Sequence, residues 1–352
     1  RIGKKIMDLR GAKDVIRYIA PKEMGFFRES GQYRVEDQRF DTWRIAHRLT
    51  RKECDRQSRS QFEKEPLFSV ILAAGDYQPF DHKRTIESVL NQTKKNVEVC
   101  IAAGPGRSRL IRMIRGYEER SPYVHLIPLD KDCGETEACN EAIRRSSGEF
   151  FCIMTPGDVL EESAVFEWTR AYNRTEHADI LYTDSDRVDW KKKEFFDPQF
   201  KPDYSPITLL SGNYIGSSIL FGRSIAEKAG LLRSIYKSQA VYDLILRCSL
   251  EEIRVCHIPR LLYHEAAPMD RSLKQREELA LQWEEGRRVL RDHLRERGLD
   301  AEVRWANYPM RYCAKWKVTG EPKVSVIIPN PDHIADLKPC LSSIAEKTTY
   351  QN

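Results

Sequence analysis

Five short runs in the middle of the chain are almost wholly apolar: Phe68–Ala73, Val97–Ala102, Val124–Pro128, Phe150–Met154 and Ile180–Thr183. Such runs, bounded by polar or glycine-containing turns, predict strands buried on both faces. Between them apolar residues fall at helical spacing, over Thr85–Gln92, Ser108–Arg120, Glu135–Ser147 and Glu162–Arg174. Strand and helix alternating at this interval predict an α/β domain with a mostly parallel sheet flanked by helices. Ligands of such sheets gather beyond the carboxyl ends of the strands, so the turns after these runs are where chemistry is expected.

Residues 1–66 read as a charged, helical N-terminal extension. Trp43, Ile45, Ala46 and Leu49 give it one apolar stripe, and a polar run follows from Arg51 to Glu65. Past Asp184 the pattern loosens. Phe195–Pro206 is rich in proline and aromatics, two helical stretches and a closing strand Arg254–His257 follow, and Leu273–Gly298 reads as a long charged helix ended by its glycine. Residues 67–298 thus form one domain, and 299–321 read as a connector. From Pro322 the opening pattern returns. Phe68-Ser-Val-Ile-Leu with Ile86-Glu-Ser-Val-Leu-Asn-Gln-Thr93 reappears as Val324-Ser-Val-Ile-Ile with Leu341-Ser-Ser-Ile-Ala-Glu-Lys-Thr348. A period of about 256 residues is far too long for a solenoid unit and marks a duplicated domain, whose second copy begins in 322–352.

The formal net charge of +5 over 352 residues gives no ground for nucleic-acid binding. Basic residues gather in Arg1–Lys13, Lys191–Lys193 and Arg287–Arg297, as solvated faces or as contacts to an anionic surface or substrate. Nine cysteines, scattered and without a Cys-X-X-Cys pair, argue against a disulfide framework and structural zinc and fit a reducing compartment. No apolar run reaches the ~18 residues of a membrane-spanning helix. The chain starts without methionine and stops early in the second copy, as a fragment of a longer protein would.

Seven motifs stand in order: Ile86–Thr93, Asn140-Glu-Ala with Ser147-Gly-Glu-Phe150, Leu181-Tyr-Thr-Asp-Ser-Asp186, Phe200-Lys-Pro-Asp-Tyr-Ser-Pro206, Asn213-Tyr-Ile215, Tyr242-Asp-Leu-Ile-Leu-Arg247, and His257-Ile-Pro with Leu262-Tyr-His264. Together, over about residues 40–300, they resemble family-two glycosyltransferases of the GT-A fold, in particular the tandem bacterial enzymes of O-antigen and surface-polysaccharide assembly. The resemblance implies transfer of a sugar from a nucleotide-sugar donor to a glycan or lipid-linked acceptor. It also implies a cytoplasmic protein, peripheral at the inner membrane, with a second transferase domain in the same chain. Three carboxylate tasks come with it. One acid after the second strand holds the nucleobase, an Asp-X-Asp after the fourth binds Mn²⁺ or Mg²⁺ against the departing diphosphate, and a late Asp or Glu takes the acceptor proton.

The chain departs from that pattern at all three places. Ala103-Gly104 follow the second strand, Thr155-Pro156-Gly157 precede Asp158 after the fourth, and Ala240-Val241 stand where the base is expected. The first strand ends in Ala73-Ala-Gly75 instead of a Pro-Xaa-Tyr/His-Asn turn, to which Pro329-Asn330 of the second copy is closer. The remaining candidates each carry a structural alternative. Asp243 and Asp186 are the candidate catalytic bases, Asp243 alternatively pairing with Arg247 one turn on. Asp184, Asn140 and Arg107 are the candidate nucleotide-sugar ligands. Arg107 and Arg109 follow Gly104-Pro-Gly106, which reads as a phosphate cradle or a plain turn, and Asp184 and Asp186 as ligands or turn residues. Asp158 and His264 are the candidate metal ligands, the first alternatively an N-cap for the helix near Glu162 and the second a structural histidine. No Gly-X-Gly-X-X-Gly follows a strand, which leaves a dinucleotide-dependent dehydrogenase without support. A working transferase domain with a rearranged site, and a non-catalytic domain that binds glycan or positions the second, both follow from these residues.

Overall fold

The computed structural model describes residues 33–175, 177–267, 273–306, 310–317, 320–329, 332 and 334–350. The basic cluster Arg1–Lys13 and Asn330 lie outside these. Helices α1 (Tyr33–Ala46) and α2 (Arg51–Arg59) lead into β1 (Phe68–Ala73), α3 (Pro79–Leu90), β2 (Val97–Ala103), α4 (Ser108–Glu118), β3 (Val124–Pro128), α5 (Glu135–Arg145) and β4 (Phe150–Ile153). There follow β5 (Val159–Leu160), α6 (Ala164–Arg174), β6 (Ile180–Asp189), β7 (Glu194–Gln199), α7 (Pro206–Leu209), β8 (Ile219–Gly222), α8 (Arg223–Lys228), α9 (Ala240–Cys248) and β9 (Val255–Ala266). The chain continues through α10 (Leu273–Glu296), β10 (Ala301–Trp305), β11 (Tyr312–Trp316) and α11 (Ile334–Lys347).

All five expected strands form, and the main sheet runs β3-β2-β1-β4-β8-β6-β9-β5 with β7 on β6. β1 pairs in parallel with β2 and β4, and β2 with β3, whereas β8 enters antiparallel to both β4 and β6. The sheet is therefore parallel on one side and mixed on the other. Side chains of β1 divide between its faces: Phe68, Val70 and Leu72 pack with Ile86 of α3, Ile114 of α4 and Trp168 of α6. Ile71 and Ala73 pack with Ala142 of α5 and Ile245 of α9. Gly148, in the turn before β4, is held by a close approach. A Cβ there would lie 2.7 Å from the Phe150 carbonyl oxygen.

Three expectations are corrected. Asp184 and Asp186 do not follow a strand; they lie within β6, which runs on to Asp189 because β9 extends beside it as far as Ala266. The polar residues there pair across the ladder, so the strand needs no apolar pattern. The connector expected at 299–321 contains the β10–β11 hairpin, packed on α10. Tyr312 is buried, its hydroxyl donating to the Trp283 carbonyl at 3.0 Å and its N–H to that of Ser211 at 2.9 Å. Gly286 is what admits it, since a Cβ there would collide with the Tyr312 hydroxyl. Of the described residues of the N-terminal extension Phe40 is buried, while Ile45 is 66% exposed and Trp43 meets Phe200 edge-on at 5.7 Å. The polar run after Leu49 is itself helical, started by a Thr50–Glu53 capping box.

Residues 316–352 form a second compact unit. Its helix α11 matches the repeat, but 324–328 forms no strand and exposes Val324, Val326 and Ile327. The equivalent β1 is paired on both sides, and an apolar run becomes a strand only where backbone groups can pair.

Candidate functional site

The carboxyl ends of β1, β2 and β4 and the outer half of β6–β9 meet along one edge of the sheet. On its β2 side, the Arg107 guanidinium pairs with Asp76 at 2.7 Å, both at the rim. Gly104 and Gly106 are covered by the Asp132 side chain, which leaves no room for a Cβ at Gly104. Asn140 faces inward. Its amide donates to the Leu232 carbonyl at 2.8 Å and its oxygen accepts the Leu232 N–H at 3.1 Å, fastening α5 to the loop after α8.

The turn after β4 is filled. Asp158 is buried, with one carboxylate oxygen accepting the Tyr263 hydroxyl at 2.6 Å and the other the Ala266 N–H at 2.7 Å. Burial pushes its carboxyl up to about 7, against the pull of those two donors. It caps no helix, because α6 starts at Ala164 with Ser163 before it. The Gly157 carbonyl accepts the Trp190 indole N–H at 2.9 Å, and a Cβ on Gly157 would touch Ala266 at 3.2 Å. Arg84 lies 4.2 Å over the same indole.

Beyond this turn stands a buried charge cluster. His264 of β9 has Nδ1 against Asp186 of β6 at 2.5 Å and Nε2 against Glu161 at 3.0 Å. Burial would lower its pKa, but the two acids outweigh that and raise it to about 9. The ring is thus an imidazolium donating from both nitrogens. The second oxygen of Asp186 has no hydrogen bond and instead faces the Arg44 guanidinium of α1 at 3.6 Å, which lies 3.2 Å over the Phe195 ring. Two acids and two cations therefore balance inside the fold.

A further polar group surrounds Asp184. One of its oxygens accepts the Lys201 N–H at 2.9 Å and faces His257 Nε2 at 2.8 Å. The Lys201 ammonium donates to the Thr183 carbonyl at 2.8 Å and to the Ser218 hydroxyl, and burial brings its pKa down to about 8. Asp243, the other candidate base, is buried on α9 between Arg233 and Arg247. The i,i+4 spacing made the Arg247 partner legible; Arg233 comes from a separate loop. Glu161, Trp190, Lys201 and Tyr263 were not singled out from the sequence. Lys201 and Tyr263 did lie within two of the quoted motifs, whereas a lone Glu or Trp carries no local signal. A cleft of about 390 Å³, lined by Arg174, Thr175, Ala178, Arg254, Val255 and Cys256, opens at the opposite, amino ends of β6 and β9.

These residues do not fit a catalytic divalent cation. Both oxygens of Asp158 are taken, His264 has no lone pair to give while protonated, and among the described residues no three His, Cys, Asp or Glu side chains converge as a ligand set.

This mixed α/β sheet flanked by helices is similar to the fold of GT-A glycosyltransferases. Residues 83–230 match the glycosyl transferase family 2 model. The chain is 26% identical over 312 residues to the O-antigen biosynthesis protein RfbC of Myxococcus xanthus, covering 88% of the chain. It is 28% identical over 296 residues to an uncharacterised protein of Sinorhizobium fredii, covering 83% of it. It spans only 24% and 32%, respectively, of the lengths of these relatives. Chondroitin synthase of Escherichia coli is 27% identical over 204 residues, 57% of this chain and 29% of the synthase. The fold resembles that of S. aureus TarS 1-349 in complex with UDP, with a TM-score of 0.50 and 14% identity, covering 65% of each chain. No helix among the described residues is long and apolar enough to cross a membrane.

Proposed function

We propose that the chain is part of a glycosyltransferase of bacterial surface-polysaccharide assembly and that its family-two domain does not itself carry out transfer. Sugar transfer from a nucleotide-sugar donor is supported by the family and by the relatives' names, and an O-antigen-like product by RfbC. A glycan or lipid-linked acceptor and a peripheral place on the cytoplasmic face of the inner membrane belong to the same reading. The observation that carries the non-catalytic part is the turn after β4, where the Asp158 carboxylate is held by Tyr263 and Ala266 and the neighbouring Gly157 carbonyl by Trp190. A departing diphosphate concentrates negative charge, and nothing in that turn offsets it. Asp243 is likewise neutralised by two arginines, so it is poorly placed to accept an acceptor proton. On this reading the domain keeps the nucleotide-sugar fold to hold glycan or to place the second domain, which starts at residue 322.

Calorimetric titration of the 352-residue chain with UDP- and dTDP-sugars, with and without Mn²⁺, tests this. Weak binding that Mn²⁺ does not strengthen is expected, together with transfer activity only in a chain that continues through the second domain. Tight Mn²⁺-dependent binding that Asp158→Asn abolishes in a folded protein would overturn it.

A further inference from the structure

Helix α4 buries Leu110 and Ile114 against the sheet and turns Arg109, Arg112 and Arg115 outward. At about 100° per residue these three fall within roughly a third of the helix circumference, along a ridge about 9 Å long. Several cations on the neighbouring helices α3, α5 and α6 are matched by an acid within a turn. Arg144 and Arg145 of α5 share Glu141, Arg170 of α6 meets Glu167, and Lys83 of α3 meets Glu87. Among the described residues no ion pair forms to Arg109, Arg112 or Arg115. The acids at the end of α4 do not change this, since Glu118 accepts the Leu126 N–H and Glu119 lies past the last turn. Beside α4, on the same face of the sheet, α3 carries Phe80, 59% exposed, with Arg84 4.6 Å over its ring. The amino ends of both helices lie at the sheet's carboxyl edge, joined by the Asp76–Arg107 pair.

We infer that the outward face of α4, with Phe80 of α3, is the surface by which this domain docks on an anionic lipid membrane. The ridge is convex and unneutralised, which suits a planar sheet of negative headgroups, whereas a bound anionic chain needs a groove to follow. The inference builds on the peripheral placement proposed above but requires no donor binding and no transfer.

The test is co-sedimentation of the whole chain with vesicles of phosphatidylglycerol in phosphatidylcholine, against phosphatidylcholine alone, at low and high salt. Binding to the anionic vesicles only, weakened by salt, is expected. Each arginine replaced by glutamine loosens it about fivefold, and the triple variant Arg109→Gln, Arg112→Gln, Arg115→Gln roughly a hundredfold. A control of equal charge change away from α4, Arg295→Gln, Arg297→Gln, Lys315→Gln, retains binding. Circular dichroism establishes that both variants are folded. The inference is overturned if the chain ignores anionic vesicles, if the control loses as much as the α4 variant, or if heparin is bound through these arginines while vesicles are not. Metal-dependent donor binding with normal docking would instead remove only the non-catalytic reading.

Discussion

Asp158→Asn separates a metal ligand from a buried structural acid. In the folded chain the Asp158 carboxyl is displaced from 3.8 to about 7, because burial penalises its charge. Each unit is worth about 1.4 kcal/mol, so keeping the group ionised costs on the order of 4 kcal/mol. Asparagine has nearly the same shape. Its oxygen accepts the Ala266 N–H, and its amide donates to the Tyr263 oxygen once that hydroxyl turns. The sign follows from linkage: a carboxyl whose folded pKa is raised binds more protons folded than unfolded, so wild-type stability falls as pH climbs from 3.8 to about 7 and then stays flat. The variant lacks this slope. Urea unfolding followed by tryptophan fluorescence should show the two proteins nearly equal below the lower value. The variant should lead by roughly 2–4 kcal/mol above the upper one, some of the gain being lost to imperfect hydrogen bonds. A variant less stable in alkaline buffer, or a gain that does not change with pH, would refute the argument and return Asp158 to the list of ligands.

Asp243→Asn leaves Arg233 and Arg247 facing each other without the carboxylate between them. It should cost about 3 kcal/mol, at the low end for a broken buried pair because Arg233 is partly exposed and keeps Glu296. Chemical denaturation measures this, and a stable variant that has lost function would restore the catalytic-base reading. His264, raised to about 9 by Asp186 and Glu161 in spite of burial, contributes stability that is whole below its ordinary value of 6.5 and lost as pH rises through 9. His264→Gln should remove the fall in melting temperature over that window, and a wild-type profile already flat there would show the imidazole to be neutral.

The five strands were legible because each is apolar along its whole length, and a strand buried on both faces needs nothing else to announce it. The resemblance to family-two glycosyltransferases was legible for a related reason: the seven motifs occupy sequence order, which one chain displays completely. The missing acids at Gly104, Thr155–Gly157 and Val241 could also be read directly, since an absent carboxylate requires no geometry to recognise. What those positions had become was not local information. Asp158 is enclosed by Tyr263 and Ala266, about a hundred residues later in the chain, and Asp186 is balanced by Arg44 from a helix that precedes the matched family segment. The outer half of β6 looked like a turn because its polar residues have no periodic signature; their partners stand across the ladder on β9. The β10–β11 hairpin looked like a linker because it folds against α10 through the Trp283–Trp305 ring contact, the hydrogen bond from Tyr312 to the Trp283 carbonyl and one glycine. Periodicity and composition act between near neighbours and determined the elements. Burial, charge balance and the proton held by His264 depend on which distant segments meet, and only the tertiary structure decided those.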